Sequence, residues 1–130
     1  MAKKRSRGQA IDLLDGVFRK YPGSRLVEFL GEGACLQATV DGDSFSLTKV
    51  DGVLAIVEEV LESPDISVDL NRAACEYLAG SKKLEDFVTR TRQCIKGTHN
   101  DCRMSYEVNA SMARMLTKGY LGFARNMGII

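Results

Sequence analysis

The chain has 130 residues, of which 45% are hydrophobic and 27% are charged, and its formal net charge is +1. This length predicts one domain with a sizeable core, and the composition is typical of globular proteins in water. The near-neutral charge excludes a general binder of nucleic acids or other polyanions.

The start of the chain is locally basic, with Lys3, Lys4, Arg5 and Arg7 close together. We expect a solvated, disordered segment over residues 1–8, and a nucleic-acid arm or a membrane-surface tether is the alternative. No continuous apolar run follows, so no signal peptide is expected, and no run of about 18 apolar residues predicts a transmembrane helix. The expected location is cytoplasmic, with no nucleic-acid partner and no stable membrane insertion.

Residues 9–20 predict an amphipathic helix, because Ile11, Leu14 and Phe18 fall on one face. The sequence Tyr21–Gly23 ends it, since proline disfavours helix in the residue before it and glycine permits the turn. Ser24–Leu30 fits either a strand or a short helix capped by Ser24. We favour the short helix.

Two Asp-Gly turns, at Asp41-Gly42 and Asp51-Gly52, separate three runs that alternate apolar and polar residues. Alternation marks strands with one buried face, and Asp-Gly tolerates the positive φ of tight hairpins. The predicted strands are Ala34–Val40, Ser44–Val50 and Val53 to about Val60. Together they form a meander.

Side-chain direction follows from the alternation. In the second strand Phe45, Leu47 and Lys49 share one face. The third strand is apolar on both faces, so we expect it to be covered partly on both. Leu61–Pro64 is predicted to cross the sheet, because the residues after it do not continue a hairpin.

The second half of the chain alternates between strand and helix patterns. A strand at Ile66–Leu70 leads into a helix at Arg72–Ala79, which either Asp69 or Asn71 can cap. A second helix is predicted at Leu84–Ile95, with Lys96-Gly97 as its stop.

The C-terminal part begins with a predicted strand at Cys102–Val108. One last helix follows, from Asn109 or Ser111 to about Met127. The fold class is therefore α+β, in a single domain over residues 9–130.

Three segments carry a family resemblance: ATVDGDSFSLTKVDG, PDISVDLNRAACEYLAG and CRMSYEVNASMARMLTKG. They resemble the meander, the strand with its helix, and the closing strand with its helix of the sterol-transfer domains of sterol carrier protein type 2. The resemblance implies a five-stranded, mostly antiparallel sheet covered on one face by helices. It also implies an apolar tunnel between the sheet and the C-terminal helices that holds a lipid, a fatty acyl chain or a sterol-like molecule.

The expected function is non-enzymatic binding of such an apolar ligand, with no cofactor, no catalytic residue and no metal. Methionine adapts to irregular apolar guests, and the last helix carries a broad apolar side rich in methionine. The predicted ligand-binding residues are Leu78, Phe87, Val88, Met112, Met115, Leu116, Tyr120, Phe123 and Met127. The alternative is a protein-interaction module in which the same stripe binds a partner or forms a homodimer, with no ligand.

Other candidate chemistry is weaker. Cys94, His99 and Cys102 lie within nine residues, but the paired cysteines of most zinc sites are missing, so a metal site stays an open alternative. Glu58 and Glu59 are adjacent on a predicted strand and would face opposite sides, which argues against a catalytic carboxylate pair.

Overall fold

A computed structural model describes residues 2–126 of the chain. The helices are α1 (Ala2–Phe18), α2 (Gly23–Val27), α3 (Arg72–Ala79), α4 (Leu84–Lys96), α5 (Met112–Thr117) and α6 (Tyr120–Asn126). The strands are β1 (Cys35–Val40), β2 (Asp43–Val50), β3 (Val53–Val57), β4 (Ile66–Leu70) and β5 (Met104–Val108).

The five strands form one sheet in the order β3-β2-β1-β4-β5. Neighbouring strands are antiparallel except β1 and β4, which are parallel. A parallel neighbour requires a crossover connection, and the segment between β3 and β4 provides it. The predicted α+β class, the mostly antiparallel sheet and the crossover are confirmed.

One face of the sheet, called here the inner face, is apolar and carries the helices. The register places its side chains in rows across all five strands. One such row is Ile56, Leu47, Leu36, Ile66 and Val108. Helices α1 and α3 pack together over this face, and α4 packs on α3 and β5. As predicted, Phe45, Leu47 and Lys49 all lie on this face and are buried.

The opposite face is polar and carries the crossover. The side chain of Gln37 on β1 donates through Nε2 to the carbonyl of Glu59 at 2.9 Å and accepts from the amide of Leu61 at 2.5 Å. Ser46 on β2 donates to the carboxylate of Glu59 at 2.6 Å. These bonds hold the crossover against the sheet, so that the chain reaches the start of β4.

The prediction that part of β3 is covered on both faces is wrong for the two ends of the strand, and on its outer face only Ala55 is half-buried. β3 ends at Val57 and lies at the edge of the sheet, so its outer side chains, Val53 and Val57, are exposed. The chain leaves the edge after Val57 and passes over β2 and β1 instead.

The prediction of one long C-terminal helix is also wrong, because α5 and α6 are separated at Lys118-Gly119. Gly119 has a φ of +78°, and a Cβ on it would lie 1.9 Å from the carbonyl oxygen of Phe29. The amide of Gly31 donates to the carbonyl of Lys118 at 2.7 Å. The turn between α5 and α6 therefore packs against the segment after α2.

Smaller differences concern helix starts. Asn71, not Asp69, caps α3, since its side chain accepts from the amide of Ala74, whereas Ser24 does not cap α2. Helix α1 is assigned from Ala2, and the disorder expected for residues 1–8 stays a prediction. Within residues 2–126, no helix combines the length and apolar character needed to cross a membrane.

We predict that Gly119→Ala lowers the free energy of unfolding by at least about 2 kcal/mol, since it adds both a strained φ and a clash with backbone. Gly42→Ala is the matched control: its φ is +91°, but nothing lies within 4 Å of the added Cβ. It should cost only about 1 kcal/mol. Urea unfolding measures both, and equal costs would show that the contact at Phe29 is unimportant.

Candidate functional site

A polar cluster fastens the C-terminal helices to the sheet. Its members are Asp65 just before β4, Arg114 on α5, Tyr120 on α6 and the backbone of Cys35 at the start of β1. We call these four groups the clasp. Asp65 and Tyr120 are buried, and Arg114 is half-buried.

The Asp65 carboxylate is the centre of the clasp. Its Oδ2 atom accepts from the hydroxyl of Tyr120 at 2.6 Å and from the amide of Cys35 at 3.2 Å. Its Oδ1 atom accepts from Nε of Arg114. Arg114 Nη2 also donates to the carbonyl of Gly33 at 3.2 Å, so one guanidinium joins the residue before β4 to the segment just before β1.

The backbone of Asp65 is fully used as well. Its carbonyl accepts from the amides of Asn109 at 2.8 Å and Ala110 at 3.0 Å, and its amide donates to Cys35 at 2.9 Å. The connection from β5 to α5 is therefore fixed at the same point as the side chains of the clasp. Because a buried carboxylate is costly without partners, this dense set of donors explains why Asp65 is tolerated there.

The electrostatics of the clasp favour its charged form. Burial raises the pKa of the Asp65 carboxyl, but hydrogen bonds from Arg114 and Tyr120 offset this, and the pKa lies below its ordinary value. The hydrogen bond to Asp65 raises the pKa of Arg114. Burial, and next the bond to Asp65, raise the pKa of the Tyr120 phenol. At neutral pH all three side chains are held in their bonding forms.

A groove of about 830 Å³ runs beside the clasp. Its walls are the end of the crossover, the start of β4, the end of β5 and the residues that lead into α5, including Ser111 and Arg114. Arg114 is paired with Asp65 and the phenol of Tyr120 is bonded to the same carboxylate. These bonds place Arg114 and Tyr120 on the same carboxylate, at one end of the groove.

Apolar side chains remain uncovered next to the C-terminal helices. The register places Met104, Tyr106 and Val108 of β5 on the inner face, opposite Leu70, Val68 and Ile66. Met104, at the end of β5 that α4 approaches, is buried, whereas Tyr106 and Val108 are exposed. The inner face of the sheet is thus open at the end of β5 that leads into α5.

The structure brings some of the predicted ligand-binding residues together and separates others. Buried members of the one core cluster are Leu78, Phe87, Met115 and Tyr120, and Val88 is half-buried. Met112 and Leu116, at 69% and 61% exposed, point away from that core. The side chain of Phe123 and all of Met127 lie outside the described residues. Ligand contact by these residues stays a prediction.

Sequence reasoning missed Asp65 and Arg114. Both belong to the segments that carry the family resemblance, but a single acid before a strand and a single arginine in a helix give no local sign of pairing. Their separation of 49 residues in sequence is closed only by the fold.

Cys94, His99 and Cys102, the alternative metal ligands, do not form a metal site in the structure. Cys94 and Cys102 are buried, and burial, followed by interaction with Cys102, raises the pKa of Cys94 to about 12. The ring of His99 instead stacks on Tyr77, with centroids 3.9 Å apart. Across the described part of the chain, no three His, Cys, Asp or Glu side chains are grouped so as to hold a metal ion.

We predict that Asp65→Asn lowers the free energy of unfolding by about 2 kcal/mol at pH 7, because it removes a charged hydrogen bond to Arg114. Asp69→Asn, an exposed change on the same region of β4, is the control and should leave stability within about 0.5 kcal/mol of the original protein. Chemical unfolding of both variants measures the difference.

The lowered pKa of Asp65 predicts that the stability of the protein falls in acid. The pKa of this carboxyl is lower in the folded than in the unfolded protein, so its contribution is complete above the unfolded value of about 3.9. That contribution is lost as the pH falls through the lower folded value. Between pH 5 and pH 2 the original protein should therefore lose more stability than Asp65→Asn, and parallel curves would contradict the role of Asp65.

Comparisons with known proteins address the fold. No protein-family profile matches the chain, and neither does any curated protein sequence. A solved structure described as "UbiJ-SCP2 Ubiquinone synthesis protein" is similar over 95% of this chain and 97% of its own, with a TM-score of 0.53 and 12% sequence identity. The likeness confirms what the three sequence segments indicated: the chain has a fold of the sterol carrier protein type 2 kind.

Proposed function

We propose that this protein binds an apolar, lipid-like molecule non-covalently between its sheet and its C-terminal helices. The proposal includes no chemical step and no cofactor. Its expected setting is cytoplasmic.

The observation that carries the proposal is the uncovered apolar surface on the inner face of β5. Val108 is 47% exposed although its register neighbours Ile66 and Leu36 are buried in the core. A side chain in that row is normally covered by a helix, and a ligand chain lying along β5 would complete the cover.

The attachment of α5 and α6 suits a movable cover. These helices are short, they meet at a glycine with positive φ, and the clasp links both of them to the sheet through polar bonds. When a cover opens, its hydrogen bonds can exchange with water, so the main cost of opening is exposing the buried side chains of Met115 and Tyr120. We propose that opening at the clasp admits the ligand.

The fold supports this function by analogy alone. The structural neighbour is described as a ubiquinone synthesis protein, and a ubiquinone is an apolar molecule of the class proposed here. It therefore serves as one probe in the test, beside a fatty acid.

A second candidate function rests on Met112 and Leu116. These two residues lie four positions apart on α5, on one side of the helix, and both are largely exposed. Exposed apolar pairs of this kind favour contact with a partner protein or with a second copy. In this case α5 is an interface and the inner face of β5 holds no ligand.

Native mass spectrometry, followed by analysis of an organic extract, separates the two functions. Lipid binding predicts a monomer with a co-purified apolar molecule. The interface function predicts a dimer without an adduct, which Leu116→Glu should convert to a monomer.

We further predict that Val108→Ser weakens binding of a fluorescent fatty acid by about five- to tenfold, the value of losing one valine contact. Val57→Ser is the matched control, because Val57 is 50% exposed on the opposite edge strand. Its affinity should equal that of the original protein. Ubiquinone should compete for the same site, and equal effects of the two substitutions would rule out the inner face of β5 as the binding surface.

A further inference from the structure

A buried lysine stands beside a second pocket, at the other edge of the sheet. The pocket has a volume of about 340 Å³ and lies between the end of α1, α2 and the hairpin of β2 and β3. Residues that line it include Phe18, Ser24, Val27, Lys49, Val53 and Leu54. This volume is at the lower end of the range for small-molecule sites.

Lys49 is only 9% exposed, which is rare for lysine. Its Nζ donates to the carbonyl of Val27 at 3.0 Å, and this is its one hydrogen bond within the part of the chain that the structure describes. No carboxylate among the described residues lies within ion-pair distance of it. An ammonium group has three donors, so two remain for other partners.

The nearby acids are committed elsewhere. Glu32 accepts from the amides of Asp51 at 2.5 Å and Gly52 at 3.2 Å, and these bonds lower its pKa first, with a smaller effect from the charge of Lys49. Glu28 also lines the pocket, but its side chain is exposed and pairs with Arg25 at 2.9 Å. The positive charge of Lys49 therefore has no contacting counter-charge from its own pocket.

The other cation of the pocket is also committed. Arg19 donates through Nε and Nη2 to the carbonyl of Leu54 and through Nη1 to Asp15. The guanidinium of Arg19 therefore links α1 to the β2–β3 hairpin. Lys49 is the cation of this pocket that still has N–H donors available. Burying an ammonium is costly unless an anion compensates it.

We propose that this pocket binds a compact carboxylate with an apolar body, held by Lys49. A single ammonium matches one negative charge, and the apolar walls of Phe18, Val27 and Leu54 suit a short hydrocarbon. A phosphate dianion would need further hydrogen-bond donors, and the guanidinium of Arg19 does not supply them because it is already bonded to Leu54 and Asp15. The site lies at the edge opposite β5 and does not rest on the proposed lipid site.

The test is a titration of the ¹⁵N-labelled protein with hexanoate, followed by NMR. Hexanoate should shift the amides of Val27, Lys49 and Leu54 in a saturable manner, while the neutral hexanamide and inorganic phosphate should bind at least tenfold more weakly. Lys49→Met keeps an unbranched side chain, one atom shorter, and removes the charge, and it should lower hexanoate affinity at least tenfold. Lys82→Met, an exposed lysine, is the control and should leave affinity unchanged.

Thermal unfolding shows whether a loss of hexanoate binding in Lys49→Met comes from misfolding of the variant. Lys49→Met should be as stable as the original protein, or more so, without ligand, because the uncompensated buried charge is gone. Only the original protein should gain stability from hexanoate. Unchanged affinity in Lys49→Met, or shifts equal for hexanoate and hexanamide, would overturn the proposal.

Two sources of the carboxylate can be distinguished. If vesicles containing palmitic acid shift the same amides and compete with hexanoate, the pocket takes the head of a lipid acid. If only free hexanoate acts, the ligand is a small soluble carboxylate. Val108 lies outside this pocket. If Val108→Ser loses fatty-acid binding but still binds hexanoate, the two sites are separate.

Discussion

The pairing of one buried carboxylate with groups from three other parts of the chain determines how the C-terminal third of this protein lies on its sheet. Asp65 contacts β1 through the amide of Cys35, α5 through Arg114 and α6 through Tyr120. A charge in this position must be fully bonded, because the alternative is a carboxylate without solvent or partner. Satisfying Asp65 therefore fixes two helices and the connection before them at once.

The two edges of the sheet use charge in different ways. Near β4 and β5, a carboxylate and a guanidinium neutralise each other and tie helices down, while the adjacent apolar face of β5 stays open. Near β2 and β3, helices α1 and α2 close over an ammonium whose one partner among residues 2–126 is the carbonyl of Val27, and a small pocket remains beside it. One edge is thus suited to an apolar chain and the other to a compact anion.

Local chemistry explains why most elements were predictable. Strand alternation and the Asp-Gly turns identified β1, β2 and the hairpins, and both aspartates adopt the positive φ expected of them. The cap of α3 and the glycine after α4 likewise depend on residues within one turn. Where prediction was wrong, a distant contact decided the outcome: Gly119 breaks the last helix because the carbonyl of Phe29 lies against it.

The sequence by itself determined the α+β class, the inner face of the sheet, the crossover and the placement of Lys49 among apolar neighbours, since each follows from periodicity or turn chemistry over a few residues. Only the tertiary structure decided the clasp, the open face of β5 and the pocket beside Lys49. The bonds of the clasp join residues 30 to 85 positions apart, and Lys49 meets Val27 across 22. Side-chain alternation says which way a residue points, but the group that it meets there depends on how distant segments pack together.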